Sequence, residues 1–131
     1  MLTTIASITS GAIGAGIIFI GARFLVVPQA AATGYGVLAA PVGAQNHAVS
    51  PYPWLYVKGM RDIASGIFIF ILLANRAAPH LLGAFMAAAS IIPVGDAVIV
   101  LRSGGTPAVA FGIHGATAAV MLAASAALLL A

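Results

Sequence analysis

The chain has 131 residues, of which 63% are apolar and only 5% are charged, with five Lys and Arg against two Asp and Glu. A soluble domain typically carries about 25% charged residues, so this composition excludes a soluble enzyme and a disordered segment. The few basic residues form no cluster, which also excludes a nucleic-acid-binding protein. With a mean hydropathy of +1.17, residues 1–131 are predicted to form a single integral membrane domain.

Four apolar segments are long enough to cross a bilayer as helices, which takes about 20 residues. They comprise residues 2–27, 54–75, 79–101 and 106–131. Short links between the last three segments make consecutive helices antiparallel neighbours. The predicted fold class is therefore all-α, a polytopic membrane protein built as an antiparallel four-helix transmembrane bundle, with residues 28–53 as its long loop.

The distribution of basic residues predicts how the bundle is oriented in the membrane. Four of the five basic residues lie toward the side that carries the first and third connections, and only Arg76 lies on the side of the two termini. This asymmetry predicts a multi-pass protein whose loop 28–53 is cytoplasmic.

Ionisable groups from all four segments are predicted to lie at one height. At a rise of about 1.5 Å per residue, Asp62, Asp96 and His114 lie within about 10 Å of the middle of their segments, and Arg23 lies about 12 Å away. All four are displaced toward the same membrane face. Charged residues at membrane depth are rare and usually face the interior of a bundle, so we expect a functional site in this layer.

Local sequence features favour an opening in the bundle at this height. Lys58 and Asp62 share one stripe of the second segment, at a spacing of four residues. In the third segment, Pro93 and a nearby glycine predict a kink beside Asp96. The glycine-rich sequence at residues 33–36 predicts a turn that enters the membrane toward the polar layer.

The leading hypothesis is a polar pocket that binds a small lipophilic compound and converts it by isomerisation, cyclisation or hydrolysis. Two carboxyl groups in different surroundings are what acid–base chemistry needs. We assign Asp96 as the proton donor and Asp62 as the orienting carboxylate, while Arg61 and His114 stabilise developing charge. Neither a cofactor nor a metal ion is expected for this chemistry.

Surrounding residues are assigned to ligand binding. Two acids cannot neutralise the basic residues of the layer, so if most of that layer faces inward, the pocket is expected to carry surplus positive charge and to hold an anionic or polar head of a lipophilic ligand. The candidate ligand-binding residues are Lys58, Arg23, Arg102, Tyr56 and Trp54. The aromatic members also fit an interfacial belt, and the expected partners are membrane lipid and a lipophilic small molecule, with no nucleic acid.

Two alternatives use the same residues differently. In the first, the carboxylates only pair with Arg61, Arg23 or Arg102 and fix the helix register of a non-enzymatic accessory subunit that works as a homo-oligomer. In the second, the chain is a proton-coupled transport subunit, again acting as an oligomer. The discriminating observation is whether the polar layer encloses a cavity within one chain or is filled by side chains.

Four blocks of the sequence resemble a family of small four-helix membrane proteins of unknown function that occurs in bacteria and fungi. The blocks read GYGVLAAP, YVKGMRDIASG, IIPVGDAVIVLRSGG and AFGIHGATAAVML, and they contain most of the candidate site residues. The family is distantly similar to DoxX-like proteins. The resemblance implies a four-helix bundle and supplies no activity, and a thiol-based role would need the cysteines that this chain lacks.

Overall fold

The computed structural model describes residues 1–37 and 53–131, and helices account for most of both stretches. Seven α-helices are present there: α1 Leu2–Val26, α2 Pro28–Tyr35, α3 Pro53–Ala74, α4 Pro79–Ala89, α5 Ile91–Arg102, α6 Pro107–Val109 and α7 Ala116–Leu129. A π-helical turn, Ala110–Gly115, joins α6 to α7. No strand occurs in these two stretches, which confirms the predicted all-α class.

Three helical stretches have the length and apolar composition needed to cross a membrane. They are Leu2–Val26, Pro79–Arg102 and Pro107–Leu129. Large apolar side chains such as Ile8, Phe19 and Phe111 are more than half exposed on their outer surfaces, as expected where lipid replaces water. These features indicate a multi-pass membrane protein. The helix α3 is similar in length but carries three charged residues in its first half.

Glycines bring α1 and α3 into close antiparallel contact. A Cβ atom at Gly21 would lie 2.6 Å from the carbonyl oxygen of Gly59, and one at Gly66 would lie 2.6 Å from that of Gly14. Within each helix the two glycines are seven residues apart, so they occupy one face. Small residues at such positions let membrane helices approach until their backbones touch.

The pair α4 and α7 closes the other side of the molecule. The buried Ser125 hydroxyl donates a hydrogen bond of 2.8 Å to the carbonyl oxygen of Gly83. Around this contact, Met86, Met121 and Leu128 are almost fully buried and form the centre of the largest apolar cluster. One interhelical hydrogen bond of this kind contributes about 0.6 kcal/mol in membrane proteins.

The predicted loop 28–53 begins with a helix instead of irregular chain. Pro28 is the first residue of α2, a position where its fixed φ and missing N–H are compatible with a helix. Gly36 ends α2 in the left-handed conformation, with φ of 89°. Residues 38–52 of this loop lie outside the described residues.

The third predicted segment is broken, and the break lies before the proline. Ser90 separates α4 from α5, and its hydroxyl donates a 2.6 Å hydrogen bond to the carbonyl oxygen of Ala87. Pro93 has no N–H to donate to the carbonyl of Ala89, which is the contact that a continuous helix would make there. The irregularity therefore lies six residues before Asp96, and Ala89, Pro93 and Asp96 line the same cavity.

Candidate functional site

A cavity of about 250 Å³ lies between α1, α2, α3, α5, the π-helical turn and α7. The residues that line it are Ile17, Ile20, Arg23, Phe24, Ala31, Gly34, Tyr35, Lys58, Asp62, Ser65, Ile69, Ala89, Ile92, Pro93, Asp96, Ile113, His114, Thr117 and Met121. Most of this surface is apolar, and the charged groups are gathered on α1, α3 and α5. The polar side chains thus border a partly open space within a single chain.

Lys58 holds the two carboxylates of the cavity together. Its ammonium nitrogen lies 2.9 Å from Oδ2 and 3.2 Å from Oδ1 of Asp62, one turn further along α3. The same nitrogen lies 3.7 Å from Oδ2 of Asp96 on α5. Lys58 is therefore the cation that both carboxylates face, in place of the arginines that the sequence suggested.

The two carboxylates are unequally engaged. Asp62 is buried and accepts two charge-assisted hydrogen bonds from Lys58. Asp96 has a longer ion-pair distance, and its side chain retains 19% exposure to the cavity. Within residues 1–37 and 53–131, Asp96 accepts no hydrogen bond of its own. Its carboxylate oxygens are consequently available to a molecule in the cavity.

Tyr35 is a site residue that sequence reasoning missed. Its ring lies 4.5 Å from the Lys58 ammonium, a cation–π distance, and 5.5 Å from the ring of Phe24. The buried Tyr35 hydroxyl has no hydrogen-bond partner in the described part of the chain. Burial, and then the nearby Asp96 carboxylate, raise the pKa of Tyr35 above its ordinary range. Tyr35 and Asp96 both line the cavity, and the Asp96 carboxylate is near enough to the hydroxyl to affect its proton.

His114 fastens α2 over the cavity. Its Nε2 lies 3.0 Å from the carbonyl oxygen of Tyr35, so Nε2 carries the proton and donates it to that acceptor. The carbonyl belongs to the last turn of α2, where no intrahelical partner exists. The two rings meet edge to face at 4.3 Å. The π-helical turn around His114, a feature frequent at functional sites, places this side chain inward.

The remaining predicted site residues are spread over the surface of the molecule. Arg23 is exposed and contributes to one edge of the cavity. Arg61, Arg102 and Trp54 are exposed and lie outside the cavity lining. Tyr56 is half-buried and also lies outside the lining. The structure therefore brings together Asp62, Asp96, His114, Lys58 and Arg23 from the predicted set.

The expectation of surplus positive charge in the pocket is wrong for the lining residues. Two cations, Arg23 and Lys58, stand against two carboxylates, Asp62 and Asp96. Arg61 lies outside the lining because adjacent residues of a helix point in different directions. With Asp62 directed inward, its neighbour Arg61 is exposed.

No metal-binding cluster is evident: the described ranges 1–37 and 53–131 contain no group of three or more His, Cys, Asp or Glu side chains arranged to hold an ion. Separately, the lining offers hydrogen-bonding groups on Asp96, Tyr35 and Lys58. The turn predicted at residues 33–36 could have identified Tyr35. If that turn approaches the polar layer, Tyr35 is the large side chain that it brings there.

Comparison with known proteins yields one match. A family model for a domain of unknown function, DUF4267, matches residues 14–129. No curated protein matches the chain, and no solved structure matches it. The match covers all four sequence blocks and confirms the predicted membership of an uncharacterised family, whereas the similarity to DoxX-like proteins stays a prediction. The chain belongs to the DUF4267 family.

Proposed function

We propose that the protein binds a small lipophilic compound inside the membrane, with the polar head of that compound at the Lys58–Asp62–Asp96 cluster. One observation carries this proposal: a cavity of about 250 Å³ with apolar walls and a few convergent polar groups. That combination is typical of ligand sites, whose volumes are about 300–1,000 Å³. The smaller volume here favours a compound with a short chain or a single ring.

In this proposal α3 is the fourth membrane-crossing helix, completing the four-helix bundle. Its 22 residues give a length of about 33 Å, enough for the hydrocarbon core. Lys58 and Asp62 neutralise each other inside the bundle, which lowers the cost of placing them at membrane depth. The outer face of the second half is apolar, with Phe68 and Ile71 half exposed.

The binding proposal can be tested with four amphiphiles that share one chain: octanol, octyl methyl ether, octylamine and octanoic acid. Native mass spectrometry of the purified protein counts bound molecules. We expect saturable binding of one molecule of at least one of them. Thr117→Phe fills the cavity from α7, and Val120→Phe adds the same bulk on the exposed face of that helix.

We expect Thr117→Phe to weaken binding about tenfold, equivalent to about 1.4 kcal/mol, and Val120→Phe to leave it unchanged. Ile92→Phe, with the exposed Ile91→Phe as its control, repeats the comparison from α5. Binding that is equally affected by both members of each pair would place the compound on the outer surface. Absence of binding by all four amphiphiles would favour a purely structural ion-pair cluster.

The proposal extends to acid–base conversion of the bound compound. Asp62 is fixed by two hydrogen bonds from Lys58, whereas Asp96 lines the cavity at a longer distance from Lys58 and is placed to transfer a proton to or from the bound compound. Lys58 then takes the charge-stabilising role that the sequence assigned to Arg61. Cells that express Asp96→Asn should therefore yield protein carrying an unconverted precursor, seen by mass spectrometry as a compound isomeric with the wild-type one or differing by water. An identical compound in both samples would limit the function to binding.

A further inference from the structure

A donor and an acceptor face the cavity side by side, and neither satisfies the other. The buried Tyr35 hydroxyl has no hydrogen-bond partner among the described residues, and within the same residues the contact found for the nearby Asp96 carboxylate is the 3.7 Å ion pair with Lys58. An unsatisfied buried hydroxyl is costly, at about 1–3 kcal/mol. In the free protein the Tyr35 hydroxyl therefore lacks a hydrogen bond that a ligand between it and Asp96 can supply.

The two unsatisfied groups restrict the chemistry of the ligand group that can bind between them. Tyr35 presents an O–H that needs an acceptor, and Asp96 presents carboxylate oxygens that need a donor. A hydroxyl group accepts one hydrogen bond and donates another at the same oxygen, so it satisfies both residues at once. We propose that the compound bound in this cavity carries a hydroxyl group, held between Tyr35 and Asp96.

Other heads fit less well for definite reasons. An ether oxygen accepts from Tyr35 but leaves Asp96 without a donor. A carboxylate has no proton to donate and would meet two like charges, Asp62 and Asp96. An ammonium group would upset the balance of two cations and two carboxylates around the cavity. The hydroxyl head is therefore distinguished from each by a separate interaction.

His114 supports this arrangement by positioning Tyr35. The 3.0 Å hydrogen bond from Nε2 to the Tyr35 carbonyl fixes the end of α2, and the contact with the Lys58 ammonium, 4.5 Å from the ring, fixes the ring. Both contacts leave the hydroxyl itself free. Tyr35 is thus held in place by its backbone and its ring while its polar atom remains available.

This inference rests on the proposed binding function and is tested with the same amphiphiles. For the wild type we expect octanol to bind about tenfold more tightly than octyl methyl ether, the loss expected for one hydrogen bond to a charged acceptor. Octylamine and octanoic acid should bind more weakly than octanol. Affinities are measured by titration in native mass spectrometry.

Two variants should give different signatures. Tyr35→Phe removes the hydrogen-bond donor that both the octanol and the ether oxygen use. The affinities for octanol and for octyl methyl ether should therefore fall by the same factor, and the ratio of the two affinities should not change. Asp96→Leu removes the hydrogen-bond acceptor that octanol uses and the ether does not. The ratio of the octanol affinity to the ether affinity should therefore fall to about one. Phe19→Leu, at an exposed residue outside the cavity lining, is the control and should change neither affinity.

The outcomes distinguish two claims: that the ligand carries a hydroxyl group, and that the cavity binds a lipophilic compound at all. If none of the four amphiphiles binds the wild type, the binding function itself is wrong. If the amphiphiles bind but the ether binds as tightly as octanol, only the assignment of a hydroxyl group is wrong. The same holds if the amine or the acid binds more tightly than octanol. Should Asp96→Leu fail to fold, the wild-type ratio and the response to Tyr35→Phe still decide the question.

Discussion

The ammonium nitrogen of Lys58 on α3 lies 3.7 Å from Oδ2 of Asp96 on α5, so one lysine joins two helices that are distant in the chain. The same nitrogen is hydrogen-bonded to Asp62 at 2.9 Å. One cation thus faces two carboxylates at the edge of an apolar cavity. This arrangement makes Lys58 the residue on which the charge balance of the site depends.

Replacing Lys58 should therefore be strongly destabilising. Lys58→Met leaves two partly buried carboxylates without their shared cation, and breaking a buried pair in this way costs about 3–5 kcal/mol. The double variant Lys58→Met/Asp62→Asn should recover part of the loss, since one unpaired charge is removed. Unfolding in mixed detergent measures the free energies. The control is Arg61→Met, an exposed residue of the same helix, which should change stability little; equal losses at both positions would contradict this account.

Adding one methyl group at the contact between α1 and α3 should separate these helices. Gly59→Ala would place a Cβ atom 2.7 Å from the carbonyl oxygen of Gly21, and overpacking of this kind costs about 1–3 kcal/mol. Gly16→Ala is the matched control on α1, where no atom lies within 4 Å of the added carbon. Thermal unfolding in detergent should show a lower midpoint for Gly59→Ala only. A control that loses as much stability would point to a general intolerance of α1 and α3 to substitution.

The membrane topology depends on whether α3 crosses the bilayer. The chain has no cysteine, so Leu2→Cys, Asn75→Cys and Ser103→Cys each create a unique labelling site. With four crossings, residues 2 and 75 lie on one side and residue 103 on the other. With three crossings, residue 75 would lie opposite residue 2.

A membrane-impermeant maleimide applied to intact cells reads out this arrangement. We expect Leu2→Cys and Asn75→Cys to be labelled, and Ser103→Cys to react only after permeabilisation, because the excess of basic residues predicts a cytoplasmic first and third connection. The reversed pattern would keep the four-helix bundle and overturn the orientation. Labelling of Asn75→Cys opposite to Leu2→Cys would exclude α3 as a membrane-crossing helix.

High pH should reveal the buried Tyr35 hydroxyl. Tyr35 lies in α2, outside the candidate spans, and burial raises its pKa above the ordinary value of 10.0. The folded protein therefore holds this proton more tightly than the unfolded chain does. The resulting stability is complete below about pH 10 and is lost as the pH rises above that value.

The comparison of wild type with Tyr35→Phe isolates this contribution. Between about pH 9 and pH 11 the wild type should lose more free energy of unfolding than the variant, because the variant has no phenol to titrate in the unfolded state. Unfolding curves at fixed pH values measure the difference. Parallel curves for the two proteins would show that the Tyr35 environment is as polar as water.

Much of the site was within reach of sequence reasoning. A spacing of four residues places Lys58 and Asp62 on one helical stripe, and the structure joins them by two hydrogen bonds. The kink predicted beside Asp96 also corresponds to an interruption of the helix, although the interruption lies at Ser90 and not at Pro93. These features depend on the chain within one helix, where periodicity alone decides which side chains are neighbours.

The position of Tyr35 could not be found in that way. It reaches the cavity because α2 folds back over α1 and α3 and is fastened by His114, which is 79 residues further along the chain. Arg61 and Arg102 were also predicted to belong to the site, and in the structure both are exposed and lie outside the cavity lining. Such outcomes follow from how helices rotate against one another, and single-helix patterns carry no information on that rotation.

The sequence by itself determined the class of this protein, because seven charged residues among 131 cannot cover a water-soluble surface, and apolar segments of spanning length must form helices in lipid. Only the tertiary structure decided which cation the carboxylates share and which hydroxyl lies unsatisfied beside them. The physical reason is that composition and periodicity act along one chain segment, whereas a cavity exists only where several helices, each with its own rotation, leave a space between them.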